Sequence, residues 1–231
     1  MPLPEVFRIG ADMLGVIMLD TVFPRPVGDI GNPATFPFPT RYATVTSASP
    51  DHVVFRNAVG LTSRFIEAAL QLQNEGCKAI VTSCGFLALQ HHDIAARLSV
   101  PFASSSLCWL PTLYNVFGGP SNVGILTASA RALTVEHIRR LGGHPLSPLE
   151  GVAEGTEFSR VILGNQPTGN MRQVGEDVVE AAERLVSRNP QTKAIVLECT
   201  NMPPYRDEIV RRTGRPTYDL LDLARNVLKV G

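Results

Sequence analysis

The sequence predicts an α/β protein of two pseudo-twofold-related lobes, each a mainly parallel sheet flanked by helices, with the active site in the cleft between them. Short apolar β-type runs alternate with longer helical patterns, as βαβ units around a parallel sheet require. A strand-like segment ending in cysteine occurs twice along the chain. Both copies stop where a strand hands over to a helix, the place where open parallel sheets bind ligands.

The repeat consists of Lys78-Ala79-Ile80-Val81-Thr82-Ser83-Cys84 and Lys193-Ala194-Ile195-Val196-Leu197-Glu198-Cys199. The same spacing of 115 residues, 78 to 193 and 84 to 199, also carries Pro101 onto Pro216. Strand, cysteine, helix and next strand therefore keep their register. Gly15-Val16-Ile17-Met18-Leu19 is matched with Val123-Gly124-Ile125-Leu126-Thr127 as the opening strand of each half. Strands are expected at 14–19, 41–46, 79–83, 102–104, 123–127, 194–198 and 216–218, and helices at about 57–75, 86–98, 130–141, 172–188, 203–213 and 219–229. Gly118-Gly119-Pro120 supplies the joint between a first lobe, 1–118, and a second, 119–231. Residues 216–231 are expected to be able to pack back onto the first lobe.

Composition excludes several classes of function. Lysine plus arginine equals aspartate plus glutamate at 21 each, with no run of either sign. Nothing therefore forms the basic footprint that nucleic acid requires. With 44% hydrophobic and 18% charged residues, the surface has room for an apolar interface, and a homodimer or higher homo-oligomer is expected. The early apolar stretch 13–19 is far short of the roughly 20 residues that span a bilayer and lacks a signal-peptide layout, so no membrane association and a cytoplasmic location are expected. Four cysteines, 77, 84, 108 and 199, are too sparse for a disulfide scaffold and lack zinc spacing. They read as free thiols, with neither metal nor other cofactor expected.

Cys84 and Cys199 carry the chemistry. Each ends an apolar strand, and Pro203 and Pro204 suit the first turn of the helix after Cys199, with Thr200 or Asn201 as its N-cap. The positive end of a helix dipole is expected to favour thiolate over thiol. Two such thiols on facing halves can approach opposite faces of one carbon, one removing a proton while the other delivers one. Cys77 and Cys108 lack this context and read as core.

Cys199-Thr200-Asn201-Met202-Pro203 resembles the Cys-Thr-(His or Glu)-x-Pro motif of the aspartate/glutamate/hydantoin racemase superfamily, and Ser83-Cys84-Gly85 resembles its first-cysteine strand end. Leu19-Asp20-Thr21 is similar to the family's Asp-Ser step, and Gly124-Ile125-Leu126-Thr127 to its strand ending in threonine. The resemblance implies a cofactor-independent isomerase with a cysteine from each half acting next to a carboxylate or carbonyl of a small molecule. It implies Cys84 and Cys199 as the acid/base pair and Asp20 as a partner for a thiol. Thr21, Ser83, Thr127 and Thr200 become carboxylate binders, and the backbone after each cysteine, at Gly85 and Asn201, would bind developing enolate oxygens. Two positions depart from the family. Gly85-Phe86 stands where amino-acid racemases carry Asn-Thr, and Asn201 replaces the acid or histidine that assists the second thiol. These departures keep open a single-thiol cis–trans isomerase or decarboxylase, and a non-catalytic small-molecule binder.

The proline-rich segment 23–42 is a stiff loop after the first strand, suited to a lid or a subunit contact, in which Asp29 and Asn32 are site candidates whose commoner role is in a turn. His91-His92 reads as a solvated helix face. Strand alternation directs Glu198 away from Cys199, toward a helix or partner. Ser104-Ser105-Ser106 could offer hydroxyls near the cleft.

Overall fold

The computed structural model describes residues 12–228. In chain order its elements are β1 Leu14–Leu19, β2 Thr40–Val45, α1 Thr62–Asn74, β3 Ala79–Thr82, α2 His91–Ala95, β4 Phe102–Ala103 and α3 Leu110–Phe117, followed by β5 Val123–Thr127, α4 Val135–Arg140, β6 Leu149–Gly151, α5 Met171–Arg188, β7 Ala194–Leu197, α6 Arg206–Thr213, β8 Thr217–Tyr218 and α7 Leu220–Val227. The strands form two four-stranded parallel sheets in matching order, β2-β1-β3-β4 and β6-β5-β7-β8. Strands β1, β3, β5 and β7 are buried along their whole length, which is why they read as unbroken apolar runs.

Register corrects the match between the opening strands by one residue. Gly15 pairs with Ile80 and Gly124 with Ile195, so Gly15 and Gly124 are equivalent. A side chain at either glycine would press on a helix leucine, Leu72 Cβ at 3.1 Å or Leu185 Cδ2 at 2.9 Å. The close seating of α1 on β1 and of α5 on β5 thus depends on the missing Cβ. Gly124→Ala is expected to destabilise the protein by about 1–3 kcal/mol through overpacking, read as a lower urea midpoint.

The helices differ from expectation where the backbone turns locally. The helix expected from 57 begins at Thr62, because Asn57, Ala58 and Gly60 adopt positive φ. The helix expected at 130–141 starts at Val135, after Thr134 and His137 form a reciprocal cap. The segment 86–98 divides into a 3-10 helix, Gly85–Gln90, and the short α2, and 203–213 into a 3-10 turn, Pro203–Tyr205, and α6. Residue 229 of the last expected helix lies outside the described residues. Two elements escaped the sequence reading. One is β6, a three-residue strand on the sheet edge, and the other is α3, despite a proline in its first turn and Gly118 closing it in the left-handed conformation. A π-helical turn also follows each lobe's second strand, at Asp51–Phe55 and Ser159–Leu163.

The lobes exchange helices. α3, from the first half, packs on β5 and β7, while α7 packs on β3 and β4. Leu220, Leu221 and Ala224 of α7 share a core cluster with Leu14, Val16 and Val81. The Trp109 indole N–H donates to the Asp219 carbonyl at 3.0 Å, and the Ser106 hydroxyl donates to the Leu197 carbonyl at 2.6 Å. This interlocking fixes the facing strand ends that make the site. Among the described residues no helix is long and apolar enough to cross a membrane, and no three His, Cys, Asp or Glu side chains gather with metal-binding geometry.

Candidate active site

Cys84 and Cys199 follow β3 and β7 and line one cavity, together with Thr21, Ser83, Gly85 and Asn201 of the residues singled out from sequence. Phe23, Phe86, Pro50, Val54, Ile162 and Leu163 make its walls apolar, and Arg25 supplies a cation. Val54 and Ile162 come from the two π-helical turns, one from each lobe. The enclosed volume is about 30 Å³, room for about one water.

Each thiol sits over the backbone N–H two residues further on, Phe86 for Cys84 and Asn201 for Cys199. The environments otherwise diverge. The Cys199 thiol donates to Asn201 Oδ1 at 3.4 Å, and Asn201 Nδ2 donates to Asp29 Oδ2 at 2.6 Å. Asp29 Oδ1 accepts from Arg25 Nη1 at 2.7 Å and from the Gly31 N–H, while Arg25 Nη2 donates to Thr21 Oγ1 at 2.8 Å. The Arg25 guanidinium also lies over the Phe23 ring, 4.5 Å from its centroid. The proline-rich segment is thus tied through Asp29 to the residue that holds Cys199. Of the two candidates in this segment, Asp29 joins the site through Asn201, whereas Asn32 serves the turn, bonding the Arg25 carbonyl and the Ala34 N–H.

The expected thiolates are not favoured in the unliganded site. Burial, reinforced by the nearby Glu198 carboxylate, pushes Cys84 up to about 12, against the weaker pull of the Phe86 N–H and Arg25. Burial and Glu198 also raise Cys199 well above the usual thiol value, with Cys84 and Asp29 adding to the effect. Short 3-10 turns follow both cysteines in place of long α-helices, so the aligned dipole that was expected is small.

Several sequence-derived assignments are corrected. Asp20 is exposed, does not line the cavity and accepts from the Ser47 N–H at 3.1 Å. Thr127 lies below the cavity and donates to Glu198 Oε2 at 2.7 Å, so the carboxylate it binds is the protein's own. Thr200 does not cap a helix. Its hydroxyl donates to the Ser83 carbonyl at 2.6 Å and joins the lobes. The Ser83 hydroxyl accepts from the Leu19 N–H at 2.9 Å. His91 is no solvated face: it stacks on Phe102, bonds Ser104 Oγ at 3.0 Å and is held down to about 4 by burial. Ser104, Ser105 and Ser106 are buried and bonded within the protein, and none lines the cavity. Cys108 is half-buried, while Cys77 lies in the core.

Glu198 does not line the cavity that Cys199 lines, as alternation requires, but it meets Thr127 of the neighbouring strand rather than a helix or partner, and it is 0% exposed. It occupies the place of Ser83 in the other lobe. Ser83 caps the N–H of Leu19, and the Glu198 carboxyl lies near the N–H of the equivalent Ala128. Being longer, it also reaches Thr127 and fills the space beside Gly85, where a Cβ would collide with its carboxyl and carbonyl oxygens. The Gly85 departure is therefore a steric consequence of Glu198. The signals for what sequence reasoning missed were an acid inside an apolar strand end and a lone arginine at 25 among prolines.

Two lobes of one topology, each presenting a strand-end thiol to a shared apolar cavity, define a pseudo-twofold α/β protein of the racemase type. The family described as Asp/Glu/Hydantoin racemase matches residues 52–227. The chain belongs to this family. Among curated proteins it is similar to a dimethylsulfoniopropionate lyase of Durusdinium sp. clade D, 27% identical over 90% of this chain and 71% of that one. It is also similar to dimethylsulfoniopropionate lyase 6 of Emiliania huxleyi, 28% identical over 93% of this chain and 58% of that one, so it spans little more than half of that relative. A point mutant of arylmalonate decarboxylase in a sulfate-associated form shares the fold with a TM-score of 0.61 at 15% identity, covering 95% of this chain and 94% of the other. Allantoin racemase from Klebsiella pneumoniae does so at 0.60 and 14%, covering 95% and 87%.

Proposed function

We propose that this protein is a lyase that removes a proton next to the carboxylate of a β-sulfonio acid such as dimethylsulfoniopropionate, with Cys84 as the base. The observation that carries this reading is the unequal pair of thiols on one apolar cavity. Glu198 and a backbone N–H act on both thiols, but Cys199 also donates to Asn201 Oδ1 and lies near the Asp29 carboxylate, which favours the thiol. Cys84 instead has Arg25 working toward ionisation.

Substrate charge supplies what the cavity's own residues lack. A sulfonium group brings a positive charge beside the thiols, and an opposite charge within about 4–6 Å favours the ionised form. Arg25, with Thr21, is suited to the substrate carboxylate. Thiolate Cys84 then takes the α-proton, the Cα–H electrons form the Cα–Cβ double bond, and the Cβ–S bond breaks. Dimethyl sulfide leaves neutral, acrylate keeps the carboxylate charge, and the proton remains on Cys84. Because about 30 Å³ cannot hold such a substrate, binding requires lining side chains to move apart.

The test is incubation with dimethylsulfoniopropionate in deuterated water, with headspace gas chromatography for dimethyl sulfide and proton NMR for acrylate. Both products in equal amounts are expected, and their absence overturns the lyase reading. A racemase is the second reading, favoured by the pseudo-twofold placement of the two cysteines. It would incorporate solvent deuterium at the stereocentre of a hydantoin or 2-substituted carboxylate as the opposite enantiomer appears.

A further inference from the structure

Beneath the cavity lies a buried acid that the proposed reaction does not consume. Glu198 is fully buried, Oε2 accepts from Thr127, and Oε1 meets no hydrogen-bond partner among the described residues. No cation pairs with it there: β5 presents only the Thr127 hydroxyl and the Ala128 N–H, and the titratable groups it acts on are Cys84 and Cys199. Arg25 and Asp29, from the proline-rich segment, act on Cys84 and Cys199 respectively. A buried carboxylate without a cation is costly and tends to keep its proton. An unpartnered oxygen is where that proton can reside, since a neutral carboxyl has a donor to place. Gly85 makes room for this oxygen, so the arrangement is built into both lobes.

We infer that Glu198 is a positioning residue for the thiol pair: with a proton on Oε1 it lets Cys84 ionise, and as a carboxylate it holds both cysteines as thiols. Three acids crowded into one desolvated site titrate together, and a charge on one suppresses charge on the others. Burial brings Glu198 up to about 7, so this control operates near neutrality. As pH rises through that value the carboxylate forms, and thiol ionisation becomes harder at the pH where it would otherwise grow. The inference deepens the proposed function, because it concerns the ionisation on which that reading depends.

The experiment is alkylation by iodoacetamide across a pH series, resolved cysteine by cysteine with mass spectrometry, in the wild type, Glu198→Gln and Thr127→Val. Glutamine keeps the shape and the Thr127 bond but stays neutral at every pH. Cys84 in Glu198→Gln is expected to react about tenfold faster than wild type above pH 7 for each unit by which its pKa falls, with the two proteins converging at lower pH where both side chains are neutral. Thr127→Val removes a donor that favours the carboxylate and is expected to shift the profile the same way by less, which keeps the test decisive if circular dichroism shows the glutamine variant misfolded. Profiles of Cys84 that superpose on wild type in the folded variants overturn the inference. No substrate is involved, so this result stands apart from the outcome of the dimethyl sulfide assay.

Discussion

Replacing Cys84 with serine is expected to lower turnover by about 10²–10⁴-fold, the usual contribution of a positioned general base. An alcohol in the same place is a far weaker base, and the apolar walls offer no substitute: Cys199 is held as a thiol by Asn201 and by the nearby Asp29 carboxylate. Cys199→Ser is expected to cost less, because a hydroxyl can keep the bond to Asn201 Oδ1 and still line the far side of the cavity. Steady-state rates of dimethyl sulfide release decide the matter. If Cys84→Ser keeps more than about a tenth of wild-type turnover, Cys84 is not the base, and a larger loss at Cys199 transfers the role to it. Equal losses at both, with deuterium exchange retained toward one enantiomer in each variant, would favour the two-base racemase.

Asp29→Ala is expected to destabilise the fold by about 3 kcal/mol, the lower end of what removing one partner of a buried ion pair costs. The lower end applies because the Arg25 side chain keeps 12% exposure while Asp29 keeps 2%. The substitution strands the Arg25 guanidinium and the Asn201 amide and leaves the Gly31 N–H without its acceptor. It also frees Asn201 to rotate away from Cys199. Urea unfolding measures the first effect, and a double-mutant cycle with Asn201→Ala isolates the coupling. A loss below about 1 kcal/mol would mean that water replaces the carboxylate and that the proline-rich segment is held by its apolar contacts alone.

Much of the architecture was legible before any coordinates. Parallel strands buried on both faces must be continuous apolar runs, so β1, β3, β5 and β7 declared themselves, and a duplicated cysteine at matching strand ends located the cleft. The elements that escaped are those whose signal is weak by nature. β6 has three residues with a glutamate in the middle, and the π-helical turns carry no period of their own. The one-residue slip between the opening strands shows why a motif match is weaker than a ladder: apolar strands resemble one another at neighbouring offsets, whereas hydrogen bonds allow one register.

The site divides along the same line. Local chemistry determined that Cys84 and Cys199 stand at strand ends beside residues able to hold them, since strand, cysteine and turn are contiguous in the chain. Tertiary structure alone decided which neighbours face them. Asp29 meets Asn201 across 172 residues, Ser83 receives the Thr200 hydroxyl across 117, and Thr127 meets Glu198 across 71. Those meetings keep the expected thiolates as thiols, move Thr127 from substrate to Glu198, and bring Glu198 beneath the cavity. Sequence periodicity reports which face of an element is apolar, but the proton affinity of a group depends on desolvation and on charges a few ångströms away, and that distance exists only once the two lobes have packed.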